Sequence, residues 1–266
     1  MSTCPLRCPA STRLMDSKIA LILGVLAGLS VAAVFPYMAE LMPERFAALP
    51  LPLGLVVLIQ GLQSAVMIGL LAWLGLRMGH RVGLGSPLLH AWLGGAPTPG
   101  WNRLKPVHAS VLGIAVALLI TALATLSDPL LPAARHGKAT PQPSALSGLL
   151  ASFYGGIAEE LLLRLFLVTL CVWLLSGFGK RAPAPWKFWG AIVFCALLFG
   201  IGHLPPAVDL WGFNTVVLMR TLLLNGLAGV TFGWLYWRRG LEMAMLAHFS
   251  ADLVLHVLAP LVMPTP

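Results

Sequence analysis

Charge is what this sequence has least of. Only 10% of its 266 residues are charged, whereas 58% are hydrophobic and the mean hydropathy is +0.88. A soluble domain carries about 25% charged residues. So few charges cannot cover a water-exposed surface, which excludes a soluble protein and indicates that lipid is the solvent. We therefore expect one membrane domain, with no room for a separate soluble one.

Sequence signals of several other function classes are also missing. No long basic run is interleaved with aromatic residues, so the net charge of +8 does not indicate nucleic-acid binding, and we expect no nucleic-acid partner. There is no HExxH motif, which would place two zinc-binding histidines and a catalytic base on one helix. No repeat of 20–50 residues indicates a solenoid. No small-residue cleavage site follows the first apolar run, so a cleavable signal is not expected.

What the sequence does contain is a series of apolar segments near the length of about 20 residues that crosses a bilayer. They predict an all-α fold, a polytopic transmembrane helical bundle of about seven spans, with eight as the alternative count. The fourth is too long for one straight crossing, and we expect it to be strongly tilted, broken near Gly155-Gly156, or extended into the headgroups. The segments cover residues 19–42, 52–76, 107–126, 146–178, 188–204, 215–237 and 241–262.

The segments divide the chain into three parts. Residues 1–18 form an N-terminal tail, in which Met15 before Asp16 is a plausible true start. Residues 19–145 hold the N-terminal spans, and residues 146–262 form the part with chemical motifs. Basic residues favour the loops on the side of the N-terminus, which predicts a multi-pass cell-membrane protein with a cytoplasmic N-terminus. These basic residues are Arg7, Arg13, Lys18, Arg77, Arg81, Arg103, Lys105, Lys180, Arg181, Lys187, Arg238 and Arg239.

Ionisable residues inside the predicted spans carry the functional information, because each costs about 2.5–3.5 kcal/mol at a helix centre facing lipid. They must therefore face one another or a wet cavity. The plainer alternative is a salt-bridge network that only holds helices together. The residues are Glu159, Glu160 and Arg164 in the fourth span, His203 near the end of the fifth, and His248, Asp252 and His256 in the seventh. Four other histidines fall in predicted loops or at span ends, where we expect them to be solvated or interfacial, and receive no role: His80, His90, His108 and His136.

Helix geometry assigns different roles to the two adjacent glutamates. Glu160 and Arg164 are four residues apart, so they share a helix face and are predicted to form an ion pair. Glu159 is rotated by about 100° from Glu160 and is left for another partner, which makes it the candidate general base. His248, Asp252 and His256 follow one another at intervals of four residues, so all three are expected to line one helix face. Asp252 is expected to orient His248 through a hydrogen bond.

Three motifs resemble those of the CAAX protease and bacteriocin-processing (CPBP, or Abi) family of intramembrane peptidases. Residues 159–164 match its EExxxR motif, and residues 199–203 match its FxxxH motif. Residues 248–252 match its HxxxN motif, with Asp252 in place of the usual asparagine. The resemblance covers about residues 146–256 and does not extend to the N-terminal spans.

The resemblance implies that Glu159 and His203 activate a water molecule, while His248 and its partner at Asp252 stabilise the oxyanion. Because aspartate donates a hydrogen bond only when protonated, we expect Asp252 to orient or charge His248 instead. Glu159, His203 and His248 are also the candidate zinc ligands, since zinc takes imidazole nitrogen and carboxylate oxygen. We expect that no metal or other cofactor is required, with zinc as the alternative.

The function predicted on this basis is an intramembrane endopeptidase that hydrolyses a peptide bond of a membrane-associated or prenylated substrate. Its partners would be a peptide or protein substrate in or at the membrane and the lipid bilayer. One alternative is a transporter or proton-relay protein, which also buries ionisable residues, although the two-half repeat typical of transporters is missing. The other alternative is a non-catalytic immunity or binding protein on the same scaffold.

Overall fold

A computed structural model describes residues 13–95, 97–133 and 142–262. Within these ranges the chain is mostly helical and contains no strand, which confirms the predicted all-α fold. The α-helices in chain order are α1 (Arg13–Leu41), α2 (Pro43–Ala47), α3 (Leu53–Val82), α4 (Pro87–Gly94), α5 (Trp101–Leu104), α6 (Pro106–Ser127), α7 (Ala145–Phe153), α8 (Thr169–Leu175), α9 (Pro185–Gly202), α10 (Leu204–Trp211), α11 (Thr215–Arg239), α12 (Leu241–Asp252) and α13 (Ala259–Val262).

Within the described ranges, six helical stretches are long and apolar enough to cross a membrane. The other predicted span, the fourth, runs from α7 to α8 and is helical throughout, but its hydrogen-bond pattern changes along its length. Two wide π-helical stretches, Tyr154–Glu159 and Leu161–Val168, lie between α7 and α8. At Gly155-Gly156, where one of our three alternatives placed a break, the structure instead shows a change of helix type. Such π-helical turns inside α-helices occur frequently at functional sites.

The first helix begins earlier than the sequence predicted. Residues 13–18, which we assigned to an N-terminal tail, form the first turns of α1, and Asp16 in this stretch is completely buried. Residues 1–12 of the predicted tail lie outside the described residues. Since α1 packs against α3 and also against the segment around α7, the N-terminal spans support the motif-bearing part of the chain directly.

The turn between α11 and α12 contacts the segment of residues 83–95. The backbone N–H of Leu241 donates to the carbonyl oxygen of Gly85 (3.0 Å). Glu242, in the first turn of α12, accepts hydrogen bonds from the Ser86 hydroxyl (2.5 Å) and from two backbone N–H groups in the first turn of α4 (2.9 and 3.0 Å). The carboxylate thus satisfies donors that a helix N-terminus leaves without intrahelical partners. As a result, α12 begins inside the protein.

Glycines allow α9 and α11 to approach closely. A Cβ at Gly229 would lie 2.8 Å from the Ala196 Cβ, and one at Gly233 would lie 2.8 Å from a methyl of Ile192. Small residues at these two positions let the helix backbones pack closely. Gly226 plays no such role, because an added Cβ there would meet nothing within 4 Å.

Candidate active site

The π-helical stretches of the fourth span present two glutamates of very different exposure. The Glu160 side chain is completely buried, and its Oε1 lies 3.0 Å from Nη1 of Arg164, so the predicted ion pair is confirmed. The Arg164 guanidinium also lies 5.4 and 5.5 Å from the ring centroids of Phe199 and Phe232. The Glu159 side chain keeps 18% of its surface exposed. Of the two carboxylates, Glu159 is therefore the one that a substrate or water can reach.

His248 of α12 lies between the two glutamates. Its Nδ1 is 2.8 Å from Glu160 Oε1, and its ring is stacked on Phe232 at 4.5 Å between centroids. Because a carboxylate paired with Arg164 accepts hydrogen bonds, Nδ1 donates here and the proton on that nitrogen is fixed. Nε2 then points to the other side, 3.7 Å from Glu159 Oε2. The imidazole is held rigidly by its Nδ1, which leaves Nε2 available for chemistry.

Asp252 lies close to His248 but does not form the hydrogen bond that we expected. Its Oδ1 is 3.6 Å from His248 Nε2 and 3.9 Å from His256 Nε2, which are distances of ion pairs and longer than a hydrogen bond. The residue that orients the His248 ring is therefore Glu160. Asp252 instead lies between two imidazoles, where its charge can act on both.

Sequence reasoning missed Tyr37, which joins this cluster from α1. Its hydroxyl is 3.2 Å from His256 Nδ1, and the two rings meet edge to face at 5.2 Å. Tyr37 lies in the part of the chain without family motifs, and no local pattern distinguishes it from an interfacial tyrosine. His256, by contrast, was expected on the face of His248, and the aspartate they share confirms that placement.

Gly155 provides the space in which the α12 side chains fit. A Cβ at this position would overlap Asp252 Oδ2 and would lie 3.0 Å from His248 Nε2. At the neighbouring Gly156, an added Cβ would lie 3.0 Å from the Cβ of Phe249. The glycine pair at which one of our three alternatives placed a break thus permits close contact between the fourth span and α12.

His203 reaches the cluster from the end of α9 and is half-buried. Its Nδ1 lies 2.9 Å from the Phe199 carbonyl oxygen, which can only accept, so Nδ1 donates and a neutral ring carries its lone pair on Nε2. The Phe199 ring contacts both His203 (4.5 Å) and His248 (6.0 Å). Within the described part of the chain, no hydrogen bond or ion pair joins His203 directly to Glu159. The structure thus brings the predicted residues to one region, with the two proposed water-activating groups out of direct contact.

The candidate zinc ligands do not have the arrangement of a metal site. Among the residues that the structure describes, Glu159, His203 and His248 do not bring their ligand atoms within 4.8 Å of one another. One nitrogen of His248 is also committed to Glu160. The expectation that no metal is required stays a prediction.

The structure is a polytopic helical bundle that buries a Glu–Arg–His network beside a more accessible glutamate. Comparison with known families gives a match over part of the chain. Residues 141–254 match the family described as type II CAAX prenyl endopeptidase Rce1-like. The predicted resemblance to CAAX-type membrane proteases is thus confirmed over this segment, which contains all three motifs. No curated protein and no solved structure matches the chain.

Proposed function

We propose that the protein is an intramembrane endopeptidase in which Glu159 activates the hydrolytic water. The observation that carries the proposal is the pairing of an accessible Glu159 with the Nε2 of His248, a ring fixed on its other side by the buried Glu160–Arg164 pair. A base and a hydrogen-bonding group held side by side fit the needs of water attack on a carbonyl. The match to the CAAX prenyl endopeptidase family supports hydrolysis as the reaction.

In the proposed reaction, Glu159 removes a proton from water as the water oxygen bonds to the carbonyl carbon of the scissile peptide. The π electrons of the carbonyl move to its oxygen, and this oxyanion accepts a hydrogen bond from Nε2–H of a doubly protonated His248. The nearby carboxylates of Glu160 and Asp252 balance the charge of that imidazolium. When the intermediate collapses, the C–N bond breaks and Glu159 returns its proton to the leaving amine.

His203 is proposed to hold the attacking water together with Glu159. Its Nδ1–H is committed to the Phe199 carbonyl, so Nε2 of the neutral ring is an acceptor. A water between two acceptors donates one hydrogen to each, which aims its lone pairs away from both. This arrangement explains why the two residues need not touch each other.

The proposed substrate is a peptide or protein segment in or at the cell membrane, with a prenylated C-terminal tail as one class. The outer surfaces of the spanning helices are apolar and present large exposed side chains, as expected for contact with lipid. A substrate anchored in the same bilayer would reach the site by lateral movement. The proposed orientation, from the basic loops, places the N-terminus in the cytoplasm.

A proton relay is the second candidate function, and one observation favours it. Glu159, His248, Asp252, His256 and Tyr37 form a continuous series with separations of 3.7, 3.6, 3.9 and 3.2 Å. Such chains of acids and histidines occur in pumps and transporters. Protein reconstituted in liposomes with a pH-sensitive dye distinguishes the two functions, because only a relay dissipates an imposed pH gradient.

The peptidase proposal is tested by comparing membranes that contain wild type, Glu159→Gln or His203→Ala. Peptides released from each membrane are identified by mass spectrometry. We expect at least one cleavage product of the wild type to disappear in both variants. If both variants leave every processing event and phenotype intact, the peptidase proposal is wrong.

A further inference from the structure

A second polar cluster lies at the other end of the N-terminal helices and plays no part in the proposed reaction. Asp16 of α1 is completely buried and meets Arg77 and His80 of α3 and His90 of α4. Its Oδ2 lies 3.1 Å from Arg77 Nη1, while its Oδ1 lies 2.8 Å from His80 Nε2 and 3.4 Å from His90 Nε2. One carboxylate oxygen is thus neutralised by arginine, and the other faces two imidazoles.

The hydrogen bonding of His90 assigns different roles to its two ring nitrogens. His90 Nδ1 is 2.7 Å from the Ser86 carbonyl oxygen, so this nitrogen carries a hydrogen and donates. In the neutral ring, Nε2 is then a lone pair that faces Asp16 Oδ1, another acceptor. The His90 side chain is only 1% exposed, so water cannot screen the repulsion. Histidines that bind zinc usually donate the hydrogen of the other ring nitrogen to a backbone carbonyl, a carboxylate or water, as His90 Nδ1 does here.

We propose that Asp16, His80 and His90 bind a divalent transition metal, with zinc as the best fit. Their ligand atoms all lie within 4.8 Å of one another. Tetrahedral zinc with bonds of about 2.0–2.1 Å holds its ligand atoms roughly 3.3 Å apart. The 3.4 Å separation of His90 and Asp16 already has this value, and the 2.8 Å separation of His80 and Asp16 needs to open slightly.

The surroundings fit a structural ion that joins three helices. His80 keeps 21% of its side chain exposed, which provides a path of entry and a position for a water as fourth ligand. Ser86, which orients His90 through its carbonyl, also donates its hydroxyl to Glu242 at the start of α12. An ion at this site would therefore hold the segment of residues 83–95 against the start of α12, the helix that carries His248.

The test uses the full chain in detergent, with any histidine tag removed and metal stripped. Zn²⁺ is titrated against a chromophoric chelator, and Co²⁺ is added separately to record the visible absorption of a tetrahedral site. We expect one ion per chain with a Kd below about 1 μM. His80→Ala and His90→Ala should each weaken binding at least about 100-fold. Zinc at 100 times its Kd should raise the melting temperature of the wild type by about 5–10 °C.

Two controls locate the ion. His108→Ala removes an exposed histidine outside the cluster and should bind zinc like the wild type. Glu159→Gln should also keep the ion, because that residue belongs to the candidate active site. Wild type that shows neither the zinc affinity nor the cobalt absorption overturns the proposal. His80 is half-buried, so the fold should tolerate alanine there, and zinc binding that survives His80→Ala overturns the proposal as well. So does zinc binding that is lost in Glu159→Gln.

Discussion

Gly155→Ala should disable the candidate site while its matched control, Gly226→Ala, should not. The new Cβ at residue 155 would overlap Asp252 Oδ2 and come within 3.0 Å of His248 Nε2, whereas one at residue 226 would meet nothing within 4 Å. Overpacking of this kind costs about 1–3 kcal/mol of folding free energy. Replacing glycine by alanine inside a helix otherwise gains up to about 1 kcal/mol. We therefore expect the alanine at residue 226 to be neutral or stabilising, and the one at residue 155 to destabilise.

The effect on activity should be larger than the effect on stability. The Asp252 and His248 side chains must move to make room, and a displacement of about 1 Å at a catalytic group can reduce the rate about 100-fold. The assay is the rate of appearance of the cleavage product that depends on Glu159, measured with equal amounts of folded protein, together with the thermal unfolding midpoint. Wild-type processing by Gly155→Ala would show that the contact between these helices is not part of the active arrangement.

Two further substitutions test the roles of the other acidic residues. Glu160→Gln leaves the Arg164 guanidinium buried without its counter-charge. It should therefore lower the free energy of unfolding by about 3–5 kcal/mol, measured by thermal or denaturant unfolding. An unchanged unfolding midpoint would show that the ion pair does not stabilise the fold. Asp252→Asn keeps the shape but removes a charge 3.6 Å from His248 Nε2. Unit charges about 4 Å apart interact by about 1–4 kcal/mol, so the processing rate should fall at least about fivefold. The control is Asp209→Asn, which removes the acidic partner of an exposed ion pair. A processing rate that holds or rises in Asp252→Asn would show that the charge of Asp252 is not used.

Contacts within one helix were predictable from spacing. The four-residue separation of Glu160 and Arg164 predicted their ion pair, and the same spacing placed His256 on the side of His248. What spacing could not predict is which residue of another helix completes a contact. The bond from His248 to Glu160 depends on how α12 packs against the fourth span, and that packing depends on Gly155.

The Asp16 cluster was missed for a similar reason. Hydropathy placed the start of the first span at residue 19, so Asp16 was assigned to a tail, and His80 and His90 were expected to be solvated or interfacial. In the structure α1 and α3 extend further, and α4 folds back against them. Arg77 and His80, three residues apart near the end of an apolar helix, were the available signal for a buried acidic partner.

The central claim, that Glu159 is the general base, is tested most directly by measuring rate and stability together in Glu159→Gln and Glu160→Gln. The rates are those of the cleavage identified in the membrane comparison, measured on purified protein in lipid nanodiscs. Loss of a general base should reduce the rate of Glu159→Gln by about 10²–10⁴-fold while its unfolding midpoint stays near that of the wild type. Glu160→Gln should lower the midpoint. A Glu159→Gln protein that cleaves at the wild-type rate, or that loses activity only in proportion to unfolding, would contradict the claim.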